Sequence, residues 1–211
     1  MNPPMMKRLG IAGEKRKNRG FTLVEVVLAL ALSSFTLGVI YHLYLYQVKN
    51  QAIRENILDM QQQARAALDL VSRELQMAGL DPRGVNRDAL KGNDFFGITF
   101  DLSELAIHAD LNGNGVPTDS NESIVISHDS DTMTLRRNTG GGRQPVSENI
   151  ETFSVKYFDR EGKITTHSEN IRQVEVSITA RTEKADPQYP YNGGYRKITL
   201  QSRVTPRNLG L

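Results

Sequence analysis

Between Phe21 and Val48 the chain carries one formally charged side chain, Glu25, and from Val26 to Val48 it carries none. An uncharged run of this length exceeds the roughly 20 residues that a helix needs to span a bilayer. Ahead of it stand Lys7, Arg8, Lys15, Arg16, Lys17 and Arg19 against a single acid, Glu14. That asymmetry predicts that residues 1–20 stay cytoplasmic and that the rest of the chain lies on the other side of the membrane.

Glu25 is the anomaly in this segment. An ionised carboxylate at the centre of a membrane helix costs about 2.5–3.5 kcal/mol on insertion scales, and less near the interface. A plain anchor has no use for it. A cut between Gly20 and Phe21 would create an α-ammonium four residues before Glu25, at the spacing of one helical turn. The helix N-terminus also favours negative charge. The two charges could pair within one chain, or Glu25 could reach the amine of a neighbouring helix and set its axial register. A secretory signal peptide fits poorly, because the apolar run is too long and no small-x-small cleavage site follows it.

The run Arg19-Gly20-Phe21-Thr22-Leu23-Val24-Glu25 resembles the class III signal of type IV prepilins: a basic leader, Gly before the cut, Phe after it, and Glu at the fifth mature position. The resemblance implies that a prepilin peptidase/N-methyltransferase removes residues 1–20 and methylates the new amine. Gly20 would be the cleavage-site residue, Phe21 the methylated residue and Glu25 the assembly residue.

Beyond the apolar run the helical pattern continues. Ile53, Ile57, Met60, Ala64, Leu68, Val71, Leu75 and Ala78 recur at steps of three and four, one apolar stripe on a helix. Gly79 offers a C-terminal cap and Pro82 a stop. A helix from Phe21 to Ala78 would run about 58 residues, roughly 87 Å, with Gly38 a candidate for local melting. The stripe predicts a packing partner, which the second half of the chain can supply; a free coiled coil would show the same stripe.

From Phe95 the periodicity changes to two. Expected strands are residues 95–100, 105–109, 123–128, 132–137, 151–158, 172–180 and 196–204. Phe153, Val155 and Tyr157 would share one face, as would Val174, Val176 and Ile178, and Ile198 with Leu200; Lys156, Glu175 and Ser177 would face water. Asp129-Ser130-Asp131 reads as a hairpin turn. The Gly140–Gly142 and 184–194 stretches read as exposed loops. A helix followed by strands is an α+β order. The expected organisation is a cleaved leader (1–20), a membrane or filament-core helix (21–48), its amphipathic continuation (49–80) and a β-rich head (81–211), which is a pilin-like fold with an antiparallel sheet on the helix.

Composition narrows the function. The net charge is +2, the leader contributes six bases and one acid, and the remainder is therefore near −3, so the basic pI says nothing about nucleic acid. The chain has no cysteine, which leaves stability to burial; some major pilins close a C-terminal loop with a disulfide, and this chain departs from that.

Met60-Gln61-Gln62-Gln63-Ala64-Arg65-Ala66-Ala67-Leu68-Asp69-Leu70 and Glu74-Leu75-Gln76-Met77-Ala78-Gly79-Leu80-Asp81-Pro82 resemble the PilW-like minor pilins, which are similar to the J-type minor pseudopilins of type II secretion. This implies a tip or priming subunit whose partners are other minor pilins and the major pilin. It would sit first in the bacterial inner membrane, single-pass with its head periplasmic or extracellular, and then in a pilus or pseudopilus. A membrane-tethered periplasmic binding or sensor domain that does not polymerise is the competing expectation.

The loop Asp110-Leu111-Asn112-Gly113-Asn114-Gly115-Val116-Pro117-Thr118-Asp119-Ser120-Asn121-Glu122 places oxygen side chains at positions 1, 3 and 5 and Gly at 6, as EF-hand-type loops do. Asp110, Asn112, Asn114 and Asp119 are the Ca2+ candidates. Position 12 is Asn121 rather than glutamate, and Asp and Asn among glycines also make an exposed turn, so both readings stay open. Enzymatic chemistry is not expected. Ser127-His128-Asp129 has triad residue types, but consecutive strand residues point to opposite faces. His42, His108 and His167 have no zinc spacing, and Gly140-Gly141-Gly142-Arg143 lacks the Lys and Ser/Thr of a phosphate loop.

Overall fold

The structure is a computed structural model that describes residues 20–84 and 95–209. The expected leader up to Arg19 and the first part of the expected head, residues 85–94, lie outside the described residues. In chain order the elements are α1 (Leu23–Met77), β1 (Ile98–Thr99), β2 (Glu104–His108), β3 (Ser123–Asp129), β4 (Thr134–Asn138), β5 (Arg143–Ser147), β6 (Ile150–Phe158), β7 (Gln173–Arg181) and β8 (Lys197–Val204). The architecture is α+β: one long N-terminal helix packed against antiparallel sheets.

Helix α1 runs unbroken through Gly38. It ends where Gly79 adopts φ +73, a left-handed position that glycine takes without a Cβ clash. The Gly79 N–H donates to the His108 carbonyl at 2.8 Å, so the end of the helix is tied to β2. Gly97 approaches the same point closely: a Cβ there would lie 2.5 Å from the Gly79 nitrogen.

The chain divides after Lys49 into two compact units. In the first, every described residue from Gly20 to Lys49 is exposed, although the helix there is long and apolar enough to cross a membrane. In the second, the helical stripe is covered. Met60, Ala64, Ala67, Val71, Leu75 and Ala78 are buried, Ile57 and Leu68 pack at the margin, and all belong to one cluster with residues from both sheets. Each large side chain fully removed from water there contributes about 1.5–3 kcal/mol.

The strands form two sheets rather than one: five strands in the order β1 to β5, and three in the order β6-β7-β8, all neighbours antiparallel. In the second sheet Phe153 stands opposite Ile178 and Ile178 opposite Leu200. The buried face of β7 is Val174, Val176, Ile178 and Ala180, alternating with half-exposed Glu175, Ser177 and Thr179, as the period of two requires. Between the sheets Ile150 is pinned twice, its N–H donating to the Met133 carbonyl at 2.9 Å and its carbonyl accepting from His128 Nε2 at 2.7 Å. The turn between β3 and β4 is the expected hairpin.

Two further details differ from the sequence reading. The first expected strand shrinks to Ile98–Thr99, because only these residues pair with Ile107 and Ala106. Strand β5 was not foreseen: Arg143-Gln144-Pro145-Val146-Ser147 has no apolar alternation, and Pro145 is accommodated because β5 is an edge strand, where a missing donor is tolerated.

Candidate functional site

The N-terminal segment is built by its own local chemistry. Glu25 Oε2 accepts from the Thr22 N–H at 2.9 Å and from Thr22 Oγ1 at 2.9 Å, and the Glu25 N–H donates to Thr22 Oγ1 at 3.3 Å. This is a capping box, with Thr22 as N-cap and Glu25 three residues later, each satisfying a donor that the first helical turn leaves free. The sequence reading singled out Glu25 and missed Thr22, although Thr-x-x-Glu before an apolar run is the signal for it. Gly20 and Phe21 precede the cap and are exposed, Phe21 by 86%. An amine on Phe21 would stand one residue ahead of the N-cap.

In the head, the 110–122 loop folds around its acids. Asp110 is fully buried; its Oδ1 accepts from the Gly113 N–H at 2.6 Å and its Oδ2 from the Gly115 N–H at 2.8 Å. Asn112 Oδ1 accepts from the Asn114 N–H and Asn114 Oδ1 from the Val116 N–H, both at 2.8 Å. The two Asn amides donate to Asp119 Oδ2, at 3.0 and 2.8 Å. Glu122, 2% exposed, turns inward, and its Oε1 accepts from Leu111 and Asn112 N–H at 2.8 and 3.0 Å. The base of the loop is fastened by Asp110 N–H to the Leu80 carbonyl and Ala109 N–H to the Glu122 carbonyl. Among the described residues no three His, Cys, Asp or Glu side chains form a ready-made metal cluster.

The triad residue types do not join. His128 is engaged by the Ile150 carbonyl. Asp129 accepts from Asp131 and Thr132 N–H and from Arg136 Nε, and these bonds, the Thr132 ones foremost, hold its carboxyl below the usual carboxylate range. Ser127, His128, Asp129, Ser130, Arg136 and Arg143 line an open depression of about 480 Å³. His108 contacts Thr99 Oγ1 and His167 faces Glu169. Gly140 and Gly142 N–H donate to Asn138 Oδ1, closing a strand turn rather than cradling a phosphate.

The 184–194 loop is exposed along much of its length yet knitted at its base. Asp186 N–H donates to the Gly194 carbonyl, Thr182 N–H to the Arg196 carbonyl, and Arg196 Nη2 pairs with Asp186 Oδ2 at 3.0 Å. Arg196 also lies over the Tyr189 ring, and Arg181 over Tyr195. In a chain without cysteine these bonds do the closing.

Residues 15–41 match the model of the prokaryotic N-terminal methylation motif. No curated protein matches the chain. Among solved structures, the type IV-like pilin TTHA1219 from Thermus thermophilus is similar over 71% of this chain and 97% of its own, with 13% identity and a TM-score of 0.44. The methylation motif thus falls on the exposed apolar start of a long helix whose later half carries antiparallel sheets.

Proposed function

We propose that this chain is a minor, tip or priming subunit of a type IV pilus or of a type II secretion pseudopilus, of the PilW-like or J-type kind. The observation that carries the proposal is the contrast along one helix. From Gly20 to Lys49 an apolar surface that includes most of the methylation motif is wholly exposed, whereas the stripe from Met60 to Ala78 is already consumed by the head. An exposed surface of that kind first finds cover in lipid and then in a bundle of like helices, where helix packing replaces lipid contact.

In this mechanism prepilin peptidase cuts after Gly20 and methylates Phe21, and the new amine lies within a turn of Glu25. Assembly brings the two charges of successive subunits together, and the glutamine-rich run at 60–70 supports the minor-pilin reading. The test is mass spectrometry of the protein recovered from cells that contain the peptidase. A chain beginning at N-methylated Phe21 is expected. An intact leader on a lone membrane-bound protein in those cells would instead describe the tethered binding or sensor domain.

A further inference from the structure

We infer that the loop from Asp110 to Glu122 binds one calcium ion through oxygen ligands from Asp110, Asn112, Asn114, Asp119 and Glu122. The sequence pattern alone left this undecided, because the twelfth position is Asn121. The fold resolves that difficulty. Asn121 takes a left-handed conformation (φ 68) and donates its N–H outward to the Thr139 carbonyl at 3.1 Å, and Glu122 enters the loop in its place.

Glu122 supplies the independent reason for a ligand. Its side chain is buried within the loop, Oε1 is held by two N–H groups, and Oε2 is buried with no hydrogen-bond partner. A buried carboxylate oxygen left without a donor bears the full cost of its lost hydration. No described ion pair reaches Asp110, Asp119 or Glu122, and Arg83 packs over Gly113 with its side chain out to Nε. Asp110 and Glu122 are the two buried carboxylates of the loop, and Oε2 of Glu122 is the one oxygen of theirs that no described donor reaches. Two Asn side chains complete a set of hard oxygen donors, with Gly115 at φ +79 where the sharp turn falls. Such donors, without His or Cys, select calcium over transition metals, and an adaptable loop suits it better than octahedral magnesium. Because Asp110 is bonded to Leu80, an ion here would also brace the end of α1 against the head.

The experiment uses the full chain in detergent micelles, stripped with chelator, with calcium chloride or magnesium chloride as the probe, followed by calorimetric titration and thermal unfolding. One calcium per chain is expected, with a Kd of about 10⁻⁴–10⁻³ M or tighter, and a saturable rise in Tm that equal magnesium does not reproduce. Glu122→Gln and the exposed-site variant Asp119→Asn are each expected to weaken calcium binding by about tenfold or more, Glu122→Gln without lowering the Tm measured in chelator. Should Glu122→Gln fail to fold, Asp119→Asn decides the question by itself. No binding at millimolar calcium, or binding that both variants leave unchanged, would overturn the assignment and make the loop a self-contained turn.

Discussion

Glu25 has a capping role and a proposed charge-pairing role, and one substitution can separate them. In the uncut chain its carboxylate caps the helix through Thr22, and in the proposed filament it meets an amine. Glutamine at the third helical position also completes a capping box, so Glu25→Gln keeps the cap and removes the charge. A hydrogen bond to a charged group contributes about 1.5–3 kcal/mol, or roughly ten- to a hundredfold in an equilibrium constant. Glu25→Gln is therefore expected to be cut and methylated normally but incorporated into filaments about tenfold less or worse, as read by quantitative blotting of sheared filaments against the membrane pool. Incorporation equal to wild type would show that the charge is not what sets register. Within the head, Glu74 is the most buried acid of the helix. Placed beside the buried stripe, it reaches Arg137 of β4 at 2.8 Å, a pairing that ties the helix to the five-stranded sheet and that no local pattern announces.

At the scale of elements, the helix and the sheets meet through matched periodicities. The three-and-four stripe of α1 faces strands whose apolar residues alternate, and Ala64, Ala67 and Ala78 are buried in the same cluster. Ser72 Oγ donates to Ser202 Oγ of β8, and Ser147 Oγ of β5 to the Gln63 carbonyl, so both sheets are pegged to the helix. The tightest approach is at Gly97, where a Cβ would stand 2.5 Å from Leu209 Cδ2 and from the Gly79 nitrogen. The leucine could move aside, but the helix cap could not. Gly97→Ala is expected to destabilise the head by about 1–3 kcal/mol through overpacking, lowering the urea midpoint. An unchanged midpoint would mean that the junction of helix cap and first strand yields easily.

For the molecule as a whole, the titrating groups of the head set a pH window. Asp101 is held below its ordinary 3.8 by Ser103 and the Glu104 N–H, and Asp186 below the same value by the Gln188 N–H and Arg196; Asp129 behaves likewise. Burial pushes His108 below its ordinary 6.5. In each case the unfolded chain binds more protons, so the contribution is present above the ordinary value and is lost as pH falls through the folded one. Tyr157 is displaced in the opposite sense: burial raises its phenol from 10.0 to about 12, while its hydroxyl donates to the Asp101 and Glu104 carbonyls. Its contribution holds below 10.0 and is lost as pH rises through about 12. Thermal unfolding across pH is expected to show a plateau between about pH 7 and pH 9 with a decline on either side. Tyr157→Phe should flatten the alkaline decline, and a Tm that climbs as pH drops from 6 to 3 would contradict the assignment of these groups.

What the sequence determined by itself was everything carried by short-range periodicity and local charge: the apolar run with its lone acid, the stripe from Ile53 to Ala78, the glycine stop and the alternating strands of β6 to β8. These follow from contacts between residues a few positions apart, which a linear pattern records. What only the tertiary structure decided was whatever depends on partners distant in the chain. Strand β5 exists because β4 offers it an edge, not because Arg143–Ser147 favours extended chain. The division into two sheets and the pairing of Glu74 with Arg137 arise from how the layers close on the helix. The entry of Glu122 into the acidic loop depends on a single left-handed residue whose N–H is captured from the end of β4, a long-range hydrogen bond that no spacing along the chain encodes.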